Sequence, residues 1–142
     1  MSDVRLLYPV FAQVGLTFVL LMAMGRARAR AARRGEVKIK DIALGQRAWP
    51  DRVTQISNAF HNQLELPLLF YVAVAFIMLT RTGDVVQLAL AWLFVVLRLA
   101  HAWIHTTSNQ VIHRFYVYLA GAVVLIAMWV ILAVRVVLAA GV

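Results

Sequence analysis

Four apolar stretches dominate this chain: residues 6–25, 53–80, 85–105 and 115–140. Each reaches or exceeds the roughly 20 residues an α-helix needs to cross the hydrocarbon core of a bilayer. In lipid an open sheet edge or bare loop leaves backbone groups without partners, so helices are the form such stretches take. The pattern predicts an all-α integral membrane protein built as a four-transmembrane-helix bundle. Of the 142 residues, 63% are hydrophobic, and a soluble domain of that length is rarely so apolar. Residues 1–142 read as one membrane domain. The first stretch runs straight into a basic cluster, which acts as a stop and not as a cleavage region, so it counts as a span.

Charge then orients the spans. Residues 25–47, GRARARAARRGEVKIKDIALGQR, hold eight of the 14 Lys and Arg residues and only two acids, Glu36 and Asp41. The net charge is +8. No aromatic ring interleaves with these arginines, so bases have no stacking platform and nucleic acid is not an expected partner. Positive residues beside a span stay in the cytoplasm and attract anionic lipid. The loop 26–52 is therefore expected on the cytoplasmic side, both termini on the opposite side, and the short connection 106–113 back at the cytoplasmic face. Cysteine is absent. Any thiol chemistry must use a thiol that a ligand brings.

This topology brings the polar intramembrane residues to one depth. Asn58, His61, Asn62 and Glu65 lie in the first turns of span two; Arg98, His101 and His105 close span three; Arg114 and Tyr118 open span four. At 3.6 residues per turn, Asn58, Asn62 and Glu65 form one stripe and Arg98, His101 and His105 another, with Arg114 and Tyr118 a third. Polar stripes in such helices turn toward the bundle or a wet cavity. Pro67 cannot donate to the carbonyl of Gln63, which predicts either a kink that widens a cavity or a tolerated helix proline.

Several chemistries compete for this layer. Glu65 is the only acid inside a predicted span, and a buried Glu65–Arg98 pair would hold two helices together. On that alternative the protein is a non-catalytic membrane module that binds lipid or a partner protein, with the polar layer as helix glue. His101 and His105 at i, i+4 could share a metal with Glu65, but the neighbouring arginine opposes a dication and no metal site is expected. Ser57 and Ser108 fit helix-end or surface roles and lack a nucleophile-elbow context. A zwitterionic small molecule fits better. Arginines clamp carboxylates, Glu65 pairs with an ammonium, Asn62 serves an amide, and Arg114 with Tyr118 stabilises a thiolate or oxyanion. Glutathione carries all of these groups.

NAFHNQLELP in span two, RLAHAWIH in span three and RFYVY at the start of span four resemble, in that order, the motifs of the MAPEG family, the membrane-associated proteins of eicosanoid and glutathione metabolism. The resemblance covers nearly the whole chain and is strongest to bacterial members, which places the protein in an inner membrane. It implies a homotrimer with glutathione bound between protomers near the cytoplasmic side. Asn62 and Glu65 match the span-two pair that holds glutathione, and Arg98 and His101 the arginine and histidine of span three. Arg28 matches a basic residue after span one that reaches a ligand carboxylate. Arg114 matches the arginine that activates the thiolate, with Tyr118 one turn on; His105 or Tyr118 would handle a proton. The second substrate would be a hydrophobic molecule entering from lipid. Four departures set the chain apart from the prostaglandin and leukotriene synthases. His61 stands where many members have arginine, His105 where many have tyrosine, and Phe115 where the prostaglandin branch has serine. The segment between Glu65 and Pro67 is also shorter than in that branch.

Overall fold

The computed structural model describes residues 3–43, 48–139 and 141, and every regular element among them is helical. A 3-10 turn at Asp3–Leu6 leads into α1, Leu7–Arg33. After a short 3-10 turn at Ile39–Asp41 come α2 (Asp51–His61), a 3-10 turn at Asn62–Leu64, α3 (Leu66–Leu79), α4 (Val85–Thr106) and α5 (Val111–Ala139). Four segments are long and apolar enough to cross a membrane: Val4–Arg33, Asp51–Leu79, Val85–Thr106 and Val111–Ala139. The protein is an all-α integral membrane protein with four spans.

Three boundaries differ from the sequence reading. First, the basic region does not begin as a loop at residue 26: α1 continues to Arg33. Arg and Ala are strong helix formers, and cations at a helix C-terminus complement its dipole. The helix ends where Gly35, at φ +70°, takes the left-handed conformation. Glu36 N–H then donates to Ala31 O (3.0 Å) and Gly35 N–H to Ala32 O (3.1 Å), closing the last carbonyls in a Schellman motif. Second, the stretch 53–80 is not one helix. Glu65, at φ −97° and ψ −105°, leaves the helical region between the 3-10 turn and α3. Pro67 then sits in the first turn of α3, where its missing N–H would have had no partner anyway. Third, α5 starts at Val111 rather than 115, which puts Arg114 in its opening turns.

The largest apolar cluster joins Leu6 to Phe70, Val74 and Ile77 of α3, Ala91, Phe94 and Val95 of α4, and Leu125, Met128 and Leu132 of α5. Phe70 and Phe94 stack at 4.7 Å between centroids. Leu6, Ile77 and Leu132 share this cluster, which puts the start of α1 and the ends of α3 and α5 at the same end of the bundle. Toward the basic end the packing changes to small residues, with Leu20, Ala59 and Ala102 in one cluster and Ala31, Val37 and Val53 in another. Between the large cluster and the basic end lies a buried polar layer. Large apolar side chains such as Phe11, Phe18, Leu79 and Trp103 point outward, as a surface facing lipid or a neighbouring chain requires.

Candidate functional site

The site grows from the interruption at Glu65. An uninterrupted α-helix would direct the Asn62 carbonyl to the amide four residues on. The ladder stops at Glu65, and Arg98 of α4 donates to that carbonyl from Nη2 at 3.0 Å. The same Nη2 donates to Asn62 Oδ1 at 2.7 Å. Asn62 Nδ2 in turn donates to Glu65 Oε2 at 3.3 Å. Asn62 is thus a relay between the base and the acid. The direct Glu65–Arg98 ion pair of the helix-glue alternative does not form; among the described residues the ion pairs are Arg34–Glu36 and Arg135–Asp84. The break at Glu65 turns its carboxylate outward, while Arg98 stays only 1% exposed.

Asn62 and Glu65 line a cleft of about 210 Å³ together with His101, Val111, Arg114, Phe115 and Tyr118. Every side of the polar layer contributes: the α2–α3 break, α4 and α5. Tyr118 lies 5.8 Å from the His101 ring, and the Arg98 guanidinium carbon is 5.9 Å from the Tyr118 ring centroid. His101 and His105 meet edge to face at 5.6 Å. Both histidines are buried, and Nδ1 of each has no hydrogen-bond partner; nor do Nε and Nη1 of Arg98. Buried polar groups normally find partners, so this many orphans behind one cleft points to a binding role for bound water or a ligand.

Arg114 is aimed by the turn before it. Asn109 takes φ +50°, a left-handed conformation that asparagine tolerates better than most residues. Its N–H donates to Ile104 O (2.8 Å), closing the end of α4. Its Oδ1 accepts from Arg114 Nη1 at 2.6 Å. One residue therefore both turns the chain and tethers the guanidinium.

Other expected members lie elsewhere within the chain. Arg28 is on helix α1, not in a loop, and sits over the Trp49 ring at 5.2 Å. Asn58 does not continue the Asn62–Glu65 stripe. It lines a separate cleft with Trp49, Asp51 and Thr54. His61 is exposed beside Phe60. His105 lies behind His101 and not on the cleft wall, and its carbonyl accepts from Gln55 Nε2 at 2.8 Å. Ser57, expected at a helix end or surface, is instead buried in mid-α2 with its hydroxyl unpartnered. Ser108 is exposed between α4 and α5.

Sequence reasoning passed over three fully buried glutamines. Gln13 Nε2 donates to Gln63 Oε1 at 3.0 Å, tying α1 to the break in span two, and Gln63 Nε2 donates to Ala59 O at 3.0 Å. Gln87 Nε2 donates to Met128 O at 3.2 Å, tying α4 to α5. The available signal was an amide inside an apolar run, which marks an interior-facing position as a charge does. Asn109 was also missed, although an asparagine just past a helix end is a left-handed cap candidate.

No curated protein and no solved structure matches the chain. Among protein families, the MAPEG family matches residues 6–134, from the start of the first span to deep in the fourth, and the chain belongs to that family.

Proposed function

We propose that this MAPEG protein is a glutathione-dependent transferase or peroxidase acting on a hydrophobic electrophile. The observation that carries the reading is the cleft where Asn62, Glu65, His101, Arg114 and Tyr118 converge on the buried Arg98. In this reading Glu65 receives the ammonium of glutathione, Asn62 and His101 its amides, and Arg98 its negative charge. Arg114 holds the sulfur as thiolate through a charge-assisted contact. In a transfer the thiolate forms a carbon–sulfur bond, and the leaving group departs with its electron pair and takes up a proton. In a peroxide reduction the thiolate takes one oxygen and releases an alcohol; a second glutathione then gives the disulfide and water. Tyr118, on the cleft wall, is the nearer proton donor, and His105 exchanges protons through His101. Arg28, remote from the cleft in one protomer, serves from a neighbour in a homotrimer. An apolar groove of about 560 Å³ that includes Leu66, Leu69, Ala122, Ile126 and Trp129 begins beside Glu65 and one turn beyond Tyr118, and supports a hydrophobic second substrate drawn from lipid. The basic end of the bundle faces the cytoplasm, and the membrane is a bacterial inner membrane.

Thiolate absorbance of bound glutathione tests the chemistry: wild type should show it and Arg114→Ala should lose it. Absence in wild type, or persistence in the variant, refutes the assignment. The interhelical bonds Arg98–Asn62 and Gln13–Gln63 favour a second reading, a non-catalytic module in which the layer is helix glue. Glutathione separates the two by mass action, since a ligand of the native state raises Tm. An unchanged Tm at millimolar glutathione selects the module.

A further inference from the structure

A further polar cleft lies at the basic end, distinct from the Glu65–Arg114 cleft and from the one that Asn58 lines. Arg30 and Arg34 of α1 and Arg52 of α2 line it, with Glu36 at its edge and Val53 and Ile56 among its apolar lining; its volume is about 290 Å³. Three guanidiniums against one carboxylate leave a local charge of +2. The Arg34–Glu36 contact is loose, at 3.8 Å with side chains 71% and 42% exposed, so Glu36 neutralises little. Arg52 is the fixed member. Its Nη1 donates to Thr106 O at 2.5 Å and to Gln55 Oε1 at 3.1 Å, which ties it to the end of α4.

Depth identifies the ligand. The headgroup layer adds about 5–7 Å on each side of the hydrocarbon core. Arg30 lies five residues beyond Gly25, where the apolar run of α1 ends, which is about 7 Å along the helix. Arg30 thus stands at the level of lipid phosphates, and Arg34, about one turn further out, lies on their aqueous side. Val53 and Ile56 give the cleft an apolar side suited to glycerol and the first methylenes. A soluble anion uses only the arginines, whereas a phospholipid uses both surfaces.

We propose that Arg30, Arg34 and Arg52 form a binding site for the phosphodiester headgroup of an anionic phospholipid, distinct from diffuse attraction of the basic segment to the membrane. Guanidinium forks offer paired donors to phosphate oxygens, and the +2 charge selects a net-negative lipid over a zwitterionic one. The site is independent of the glutathione cleft, so either assignment can fail alone.

The test uses the full chain in neutral detergent. Phosphatidylglycerol is titrated and retained lipid is counted by native mass spectrometry. Phosphatidylcholine is the zwitterionic control, and glycerol 3-phosphate is the headgroup without chains. Phosphatidylglycerol should bind at least about tenfold more tightly than phosphatidylcholine, and Arg30→Gln with Arg34→Gln should remove that preference. Arg26→Gln with Arg33→Gln removes the same charge from the same helix outside the cleft and should leave the preference intact. Helix content of each variant by circular dichroism confirms that it is folded, and Arg52→Gln alone, which lies on α2, supplies a second reading if the α1 variant is not. Equal losses in the two double variants would show only diffuse electrostatics and overturn the site. So would equal binding of the two lipids. Displacement by glycerol 3-phosphate at equal concentration would identify a soluble phosphate as the ligand and overturn the lipid assignment.

Discussion

The bond between Arg98 and Asn62 should be worth several times the neutral Gln13–Gln63 bond between spans, and a double-mutant cycle can measure each. Arg98 is 1% exposed and Nη2 has two acceptors, Asn62 Oδ1 at 2.7 Å and Asn62 O at 3.0 Å. Asn62→Ala removes the shorter contact and leaves a buried cation with one carbonyl, since Nε and Nη1 have no partners already. Hydrogen bonds to charged groups contribute about 1.5–3 kcal/mol. Side-chain bonds between membrane helices average only about 0.6 kcal/mol, because the unfolded helices also find partners. Gln13–Gln63, neutral on both sides at 3.0 Å, belongs to that weaker class. The cycle of Asn62→Ala with Arg98→Met should therefore give a coupling of about 1.5–3 kcal/mol, and that of Gln13→Ala with Gln63→Ala about 0.6 kcal/mol. Reversible unfolding in mixed micelles by added SDS, followed by helix content, supplies the free energies. Equal couplings for the two pairs, or a smaller one for Arg98–Asn62, would refute the view that Arg98 is held chiefly by Asn62.

Four other outcomes follow from the same contacts. Asn109→Gly should keep the left-handed turn and the stability of the α4–α5 connection while weakening glutathione binding through the freed Arg114; Asn109→Ala should lose both, and thermal shift with and without glutathione separates them. The Arg135 guanidinium hydrogen-bonded to Asp84 holds that carboxyl below its ordinary range, so its stabilisation is present above that range and is lost as pH falls through the lowered value. Both side chains are about a third exposed, which limits the effect to under about 1 kcal/mol; Asp84→Asn, which can still cap α4, should flatten the acid limb of a pH–stability curve. Gly121→Ala should stabilise α5 by about 0.5–1 kcal/mol, because the added Cβ meets only Leu97 Cβ at 4.0 Å; a loss of stability in the micelle titration would show that α4 and α5 pack more tightly than that. Pro67→Ala restores an amide at the break and should weaken glutathione binding with little change in helix content, and an unchanged affinity by titration calorimetry would show that the break does not shape the cleft.

The four spans were legible because a run of apolar residues long enough to cross a bilayer admits few alternatives. The stripe of Arg98, His101 and His105 was legible for a related reason: α4 is unbroken, so ideal helical spacing places all three inward. The same spacing failed for Asn58, Asn62 and Glu65. Pro67 signalled a possible kink, but its position did not reveal that the helix tightens at Asn62 and stops at Glu65. Helical spacing also could not find Gln13 with Gln63, since residues 50 apart on different spans meet only through tertiary packing. The extension of α1 to Arg33 was hidden by reading charge as loop. Alternating Arg and Ala is a strong helix former, and the charge told only where the helix leaves the hydrocarbon.

The interruption at Glu65 also explains how one layer can hold both an acid and a buried base without the two cancelling. A straight helix beside Arg98 would leave Glu65 as its natural partner, and a direct ion pair would consume the acid of this polar layer. The break instead releases the Asn62 carbonyl, which lipid could not satisfy, and Arg98 fills that need along with Asn62 Oδ1. The guanidinium is thereby held by neutral oxygens, and Glu65, which accepts from Asn62 Nδ2 at 3.3 Å, keeps its carboxylate exposed on the cleft wall. With Arg114 on the facing helix, the cleft presents a negative and a positive group at separate points. That is the charge pattern a zwitterion requires, and it arises from a backbone defect that would otherwise only destabilise a membrane helix.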